Sequence, residues 1–164
     1  MLLNPALRPT VETISYRNLA AALTVVGCSS LSLANLIDLP SRDQTVLGTY
    51  TIADDDVFRS RALLLESASQ ADEILFAWGS GGIGGAVGAV VKGQAAWIQK
   101  QATALGYERV WMVAGKPRHP SRWRQFVGPQ KQRVQGNTFE DRLGKVLVAH
   151  PIGVDGVNVH PPCT

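Results

Sequence analysis

The chain has 164 residues, of which 45% are hydrophobic and 18% are charged, and its formal net charge is +3. This composition is ordinary for one globular domain with a sizeable core, and the lack of an apolar run of about 18 residues argues against a membrane span. Two distant cysteines, Cys28 and Cys163, form no C-x-x-C pair, so we expect a cytoplasmic protein without a signal peptide, a disulfide framework or a metal centre built on cysteine.

The first half of the chain predicts strands and helices in alternation. Apolar runs bounded by turn residues indicate two strands, and helix-cap signals indicate a helix after each. In chain order these elements are a strand that ends at residues 1–3, a helix at about Val11 to Val26, a strand at Ser30 to Ile37 and a helix at about Val57 to Gln70. Thr10 is the expected N-cap of the first helix, and Gly27 is its expected stop. The sequence leaves open whether the chain extends upstream of Met1.

The second half continues the same alternation. Its predicted elements are a strand at residues 73–78, a glycine-rich loop, a helix at about Ala86 to Leu105, a strand at residues 109–114, and one or two short strands after Lys145. We expect residues 1–124 to form one α/β domain and residues 125–164 to be a C-terminal extension packed on it.

Strands that alternate with helices favour a mainly parallel sheet with helices on both faces. We therefore predict an α/β fold, specifically a three-layer sandwich around a central sheet of about four strands. Loops that leave the carboxyl ends of such strands commonly form ligand sites. The predicted strand ends carry Asn4, Asn35, Trp78 with Gly79, and His119.

The segment KPRHPSRWR, residues 116–124, follows the fourth predicted strand. It is rich in basic side chains, which are rarely buried without partners, so this loop should lie in water. The whole chain shows a related asymmetry, because residues 1–80 carry five basic and nine acidic residues while residues 81–164 carry eleven and four. Such asymmetry is compatible with a surface for nucleic acid or another polyanion, and equally with a solvated face that has no partner.

The glycine-rich loop satisfies the pattern G-x-G-x-x-G at Gly79, Gly81 and Gly84. Between a strand and a helix, this pattern can bind the pyrophosphate of a dinucleotide. Here it follows the third predicted strand, and the next strand ends in Ala114-Gly115-Lys116 instead of the expected acid. We therefore favour a steric role, in which the glycines permit a tight turn and a close approach.

Four motifs in fixed order resemble a bacterial and phage family known as domain of unknown function 1643. They are MLLNPALRPTVETISYR, SLANLIDLPSRD, ADEILFAWGSGG and GKPRHPSRW, and the resemblance covers roughly residues 2–123. Two positions depart from the family pattern. Glu12 stands where the family usually has Asp, and Ser121-Arg122-Trp123 replaces a Leu-Tyr ending.

The same motif order also resembles, remotely, the uracil-DNA glycosylase superfamily. That resemblance implies a uracil-DNA-glycosylase-like fold in which Asn4-Pro5 positions water, Asn35 reads a base edge and His119-Pro120-Ser121 grips DNA. Trp123 lies where the superfamily often has a side chain that wedges into the duplex. The sequence has neither the aromatic-rich water-activating motif of the main uracil enzymes nor the four cysteines of their iron-sulfur relatives, so the substrate base stays open.

The implied function is hydrolysis of the N-glycosidic bond of a flipped, altered base in DNA. Negative charge develops on the departing base, which His119 could stabilise by donating a hydrogen bond, while Asn4 orients water and Glu12 acts as the base. Asn35 offers both an acceptor and donors to a base edge. The other assigned residues are Trp78 and Gly79 for base binding, and Lys116, Arg118, Ser121, Arg122, Trp123 and Arg124 for DNA binding. No metal ion or cofactor is expected.

The main site residues also have structural alternatives. The histidine could bond a loop carbonyl, Asn4 could form a turn, Asn35 could cap a loop, Glu12 could favour a helix terminus, and both tryptophans could belong to the core. Three functions therefore stay open: a glycosylase of DNA repair or modification, a non-catalytic module that recognises DNA or a nucleotide, and a hydrolase of free nucleotides or nucleosides. Strand preference and oligomeric state stay open as well.

Overall fold

The computed structural model describes residues 13–37, 51–79, 83–128 and 134–152. Within these ranges it contains three long helices, two strands and three short helical segments. They are α1 (Ile14–Val26), α2 (Asp54–Ser69), α3 (Gly85–Ala104), β1 (Arg109–Val113), a 3-10 helix (Pro120–Arg122), α4 (Arg124–Val127), α5 (Phe139–Gly144) and β2 (Leu147–Pro151). None of the helices in these ranges is long and apolar enough to cross a membrane.

The three long helices confirm the predicted ones, with different starting points. Helix α1 begins at Ile14 because the hydroxyl of Thr13 accepts a hydrogen bond from the backbone N–H of Tyr16 at 3.2 Å, which caps the helix. Thr10, the predicted cap, lies outside the described residues. The predicted stop is confirmed, since Gly27 ends the helix with a left-handed φ of 82°.

Helix α2 begins three residues earlier than predicted, at Asp54. The carboxylate of Asp56 accepts a hydrogen bond from the backbone N–H of Ala53 at 3.4 Å, and all three acidic residues at 54–56 lie in the first turn. Negative side chains at this end interact favourably with the helix dipole, so the acidic cluster belongs to the helix itself.

Strands β1 and β2 pair antiparallel, with Arg109 opposite Pro151 and Val113 opposite Leu147. The segment at residues 74–76 runs parallel to β1 on its other side. There Trp111 donates to the carbonyl of Ile74 at 2.8 Å, and Phe76 donates to the carbonyl of Trp111 at 3.0 Å. In the described structure, the strand predicted at residues 73–78 is reduced to a single parallel bridge, between Leu75 and Trp111.

Residues 30–37, which were also expected to form a strand, do so nowhere in the described part of the chain. Leu31 and Leu33 are exposed, whereas Ala34, Leu36 and Ile37 are buried. Because the first predicted strand lies outside the described residues, the central sheet of about four mainly parallel strands stays a prediction.

The core consists of two clusters on opposite faces of the sheet. Ile74, Phe76 and Trp78 belong to the cluster beneath α2 and α3, whereas Leu75 and Ala77 face the second cluster. Side chains of an extended segment alternate between faces, so helices cover both faces of this sheet. The second cluster joins α1 to the short helices and β2 through Leu19, Ala21, Ala22, Trp123, Val127, Leu143 and Leu147.

Candidate functional site

The basic loop, residues 116–124, leaves the carboxyl end of β1 through a tight turn. Ala114 and Gly115 both have positive φ values, 48° and 68°, and Lys116 donates back to the carbonyl of Val113 at 3.3 Å. A second backbone bond, from Ala114 to the carbonyl of Val146 at 2.8 Å, ties this turn to the segment before β2. The turn therefore sets the direction in which the basic loop leaves the sheet.

The backbone of the basic loop is held unusually firmly for a charged surface segment. All five carbonyls from Lys116 to Pro120 accept a hydrogen bond from the protein. Two of these bonds are local: Arg118 donates to the carbonyl of Lys116 at 2.7 Å, and Arg122 donates to the carbonyl of His119 at 2.9 Å.

The other three carbonyls are bound by two buried side chains, one of them from the loop itself, and by a distant backbone N–H. The backbone N–H of Gly79 donates to Pro117, the indole N–H of Trp123 donates to Arg118 at 2.7 Å, and the Asn18 amide donates to Pro120 at 2.7 Å. A loop whose peptide planes are fixed in this way presents its side chains with little conformational freedom.

His119 caps the 3-10 helix with its ring. The ring Nδ1 lies 3.3 Å from the backbone nitrogen of Ser121 and 2.9 Å from the Ser121 hydroxyl. A backbone N–H can only donate, so Nδ1 accepts, and the neutral ring carries its proton on Nε2. Among the described residues, Nε2 makes no hydrogen bond.

Electrostatics favour the neutral form of this ring. Burial lowers the pKa of His119, and the nearby positive charge of Arg122 lowers it further. Near neutral pH the His119 ring is therefore an uncharged donor that holds its proton on Nε2. This is the form that the sequence-based role in donating to a base oxygen requires.

Gly79 is the predicted base-binding residue that lies beside His119. It has a φ of 89°, and a Cβ atom built on it would lie 3.4 Å from the Cβ of His119. Its neighbour Trp78 is only 5% exposed, and its ring packs against Phe76 with 4.5 Å between centroids. The Trp78 ring thus offers a ligand almost no surface, and a role in the core describes this residue better than base binding.

Trp123 requires a correction, because it is completely buried, with 0% of its surface exposed. The 3-10 helix turns the indole inward, while Ser121, Arg122 and Arg124 stay exposed. A side chain buried in the core cannot enter a duplex, so the predicted DNA wedge is wrong for this conformation. The indole instead supports the basic loop through its bond to Arg118.

The cations of the loop form a positive surface. Lys116, Arg122 and Arg124 are exposed, and residues 114–128 contain no acidic residue. Both ion pairs in the described part of the chain, Arg59–Asp56 and Arg109–Glu73, lie elsewhere. The loop cations are therefore available to an anionic ligand.

Arg118 differs from the other loop cations because it is half-buried. Its guanidinium carbon lies 3.7 Å from the centroid of the Phe126 ring, and burial lowers its pKa. Its Nε is buried and has no hydrogen-bond partner within the described residues. The stacking fixes the plane of this guanidinium, which suits a planar or phosphate-oxygen acceptor.

The remaining predicted site residues are Asn35, Asn4 and Glu12. The Oδ1 atom of Asn35 is buried and, among the described residues, has no hydrogen-bond partner, so it is an unused acceptor. The next residue, Leu36, packs in the same core cluster as Trp78, and its carbonyl accepts a bond from Gln94 at 3.1 Å. Asn4 and Glu12 lie outside the described residues.

Asn18 was missed by sequence reasoning. It lies inside α1, is only 3% exposed, and makes the bond to Pro120 described above. The sequence did carry a signal for this residue, which is its position in the helix. Asn18 precedes Leu19 and lies four residues before Ala22, on the buried face of α1. A polar residue on an apolar helical face usually has a specific hydrogen-bond partner.

A separate cleft of about 630 Å³ lies away from the basic loop. It is bounded by the C-terminal half of α1, residues 27–34, the end of α2, residues 70–75 and Trp111. None of its lining residues is a predicted site residue. In the described part of the chain, no three His, Cys, Asp or Glu side chains are grouped so as to hold a metal ion.

The chain matches the family described as "Protein of unknown function (DUF1643)" over residues 6–121. The chain belongs to this family. The span that matches the DUF1643 family ends at Ser121, so it includes the basic-loop residues from Lys116 to Ser121. No curated protein and no solved structure matches the chain.

Proposed function

We propose that this DUF1643 protein binds nucleic acid through the basic loop and hydrolyses the N-glycosidic bond of a flipped, altered base. The observation that carries the proposal is the combination of a rigid loop free of acidic residues with a neutral His119 whose Nε2 proton is unused. Positive surface and a fixed neutral donor are what a polyanionic substrate with a leaving base requires.

In the proposed reaction, His119 donates its Nε2–H to the base oxygen on which negative charge develops. The unused Oδ1 of Asn35 accepts an N–H from the base edge, and Gly79 leaves room beside the imidazole. Exposed Lys116, Arg122 and Arg124 bind backbone phosphates. From the remote resemblance alone, Asn4 would orient the attacking water.

A non-catalytic recognition module is the second candidate, and the surroundings of His119 favour it. The one charged neighbour that shifts the pKa of His119 is Arg122, a cation. No carboxylate acts on this ring in the described part of the chain, so activation of water would depend on a residue such as Glu12. The same loop would then bind DNA or a nucleotide without bond cleavage.

The test is alkali-sensitive strand cleavage of labelled single- and double-stranded DNA that carries uracil, hypoxanthine or another altered base. His119→Asn is the informative variant, because an asparagine oxygen can still cap the Ser121 N–H while the Nε2 donor is lost. Asn4→Ala tests the water-orienting role separately.

Cleavage by the natural sequence that is lost in His119→Asn is the expected result. Salt-sensitive DNA binding without cleavage would reject the glycosylase for those bases and support the recognition module. Binding of mononucleotides without salt-sensitive binding of long DNA would reject both, and would indicate a hydrolase of free nucleotides or nucleosides.

A further inference from the structure

We propose that Asn18 is a positioning residue for His119, which it orients by holding the carbonyl of Pro120. Only the expected effect on DNA binding rests on the proposed function, because the orientation of His119 concerns the basic loop alone. It assigns a role to a residue of α1 that lies 102 positions away from its partner in the chain.

The Asn18 amide is buried on an otherwise apolar helical face. The side chain is 3% exposed and lies in a helix whose other buried residues are Leu19, Ala21 and Ala22. An apolar residue would satisfy packing at this position without the cost of removing an amide from water. The 2.7 Å bond to Pro120 therefore supplies something that packing does not, namely a fixed direction for one peptide plane.

Asn18 and Trp123 act together on the backbone around His119. The Arg118 carbonyl belongs to the peptide plane that precedes His119, and it accepts from the indole of Trp123. The Pro120 carbonyl belongs to the peptide whose N–H, on Ser121, donates to Nδ1 of the His119 ring, and it accepts from Asn18. The indole thus holds the peptide before His119, and Asn18 holds the peptide whose N–H caps the ring. Without Asn18, the Pro120 carbonyl keeps only the 3.1 Å bond from the backbone N–H of Trp123, so the Ser121 N–H and the ring that it caps gain freedom to move toward solvent.

Gln94 provides a matched control for the His119 titration, because it is a second buried amide in another part of the core. It is 1% exposed, donates to the carbonyl of Leu36 at 3.1 Å and accepts from Arg61 at 2.8 Å. None of its bonds involves the basic loop. Its removal should lower stability as removal of the Asn18 amide does, but without a change at His119.

The experiment compares Asn18→Leu, Trp123→Phe and Gln94→Met by NMR pH titration of the His119 ring and by binding to a labelled DNA duplex. The titration requires no DNA, so it decides the positioning role even if the protein does not bind DNA. Trp123→Phe removes the indole donor and keeps an aromatic ring, which provides a second test if Asn18→Leu does not fold.

The expected result is that the pKa of His119 rises toward its ordinary value of about 6.5 in Asn18→Leu and Trp123→Phe, as the ring becomes more solvated, and is unchanged in Gln94→Met. DNA affinity should fall roughly threefold to tenfold in Asn18→Leu and Trp123→Phe, the size of one hydrogen bond. Gln94→Met is a control for the titration alone, because Gln94 holds the carbonyl of Leu36 beside Asn35, a residue of the proposed base site. An unchanged His119 titration in folded Asn18→Leu or Trp123→Phe, or an equal shift in Gln94→Met, would overturn the proposal. Shifted titration without DNA binding by any form would retain the positioning role and reject the proposed function.

Discussion

Asn18 and Gln94 are two buried amides that serve two regions of opposite character. Asn18 joins α1 to the basic loop, in a stretch, residues 114–128, that carries four cations and no acidic residue. Gln94 joins α3 to α2 and to Leu36, next to a segment, residues 51–79, that carries six acidic and two basic residues.

A buried amide therefore has different consequences in different surroundings. On the side of Gln94, the amide organises packing between helices. On the side of Asn18, it fixes a loop that leaves three exposed cations and the Nε2 proton of His119 without partners in the described structure. Rigid backbone combined with unused polar groups is the signature of a binding site, whereas rigid backbone with satisfied groups is typical of a core.

The largest expected effect is on DNA binding. Changing Lys116, Arg122 and Arg124 together to glutamine should greatly weaken the affinity for duplex DNA at low salt. It should also reduce the dependence of log K on log salt by about 0.9 for each phosphate that the loop no longer neutralises. Fluorescence anisotropy with a labelled duplex at several salt concentrations measures both quantities.

The control removes the same charge from the other region, through glutamine at Arg59, Lys92 and Lys100 of α2 and α3. These three residues are exposed and lie outside the basic loop. The salt dependence should barely change in this variant. Equal losses of affinity in the two triple variants would show that total charge, and not the loop, determines binding.

The next effect concerns Gly79, and Gly106 is its matched partner. Both have a φ of 89°, but a Cβ on Gly79 would lie 3.4 Å from His119, whereas one on Gly106 would meet nothing within 4 Å. Alanine should lower the free energy of unfolding by about 1 kcal/mol at either position because of the left-handed backbone. Urea denaturation measures this decrease.

Only Gly79→Ala places a new methyl group against the Cβ of His119, so only this variant should also change the His119 resonances and weaken DNA binding. The His119 resonances and the anisotropy assay, compared between the two alanine variants, make this test. If Gly106→Ala changed DNA binding as much as Gly79→Ala, the contact between Gly79 and His119 would have no functional role.

A smaller effect is the pH dependence of stability. Because the pKa of His119 is lowered in the folded protein, the unfolded chain takes up its proton more readily as the pH falls. The stabilisation should therefore be complete above a pH of about 6.5 and decline as the pH falls toward the folded pKa. His119→Asn should lack this part of the acid decline in urea denaturation, and an identical decline in the variant would contradict the assignment.

The smallest expected effect is at the turn before the basic loop. Ala114 has a φ of 48°, which glycine adopts without strain, so Ala114→Gly should be neutral or stabilise the protein by about 0.5 kcal/mol. Ala96→Gly, on an exposed face inside α3, should instead destabilise by about 1 kcal/mol. Equal decreases of Tm in the two variants would show that Ala114 is not strained.

Much of the local structure could be predicted, because its causes are local. Helix caps, apolar runs and turn residues placed α1, α2, α3 and β1 within three residues of their observed ends. The basic loop followed β1 as expected, with Lys116, Arg122 and Arg124 exposed. These features depend on interactions between residues that are close in the chain.

The site was predicted less completely. His119 and Gly79 were assigned to one site from their positions at strand ends, and they lie in contact distance of each other. Trp123 was expected to reach a ligand, because its spacing from His119 does not reveal that a 3-10 helix turns it inward. Asn18 was not selected, because its helix position identifies it as buried without naming its partner.

The family, the positions of the long helices and the basic, histidine-bearing loop after β1 all follow from patterns within the amino-acid sequence. The three-dimensional structure shows in addition that the carbonyls from Lys116 to Pro120 are bound, that Trp123 supports the loop from within, and that the proton of neutral His119 lies on Nε2. The physical reason is range: caps and periodicity act within a few residues, whereas the bond between Asn18 and Pro120 joins groups 102 residues apart that only packing brings together.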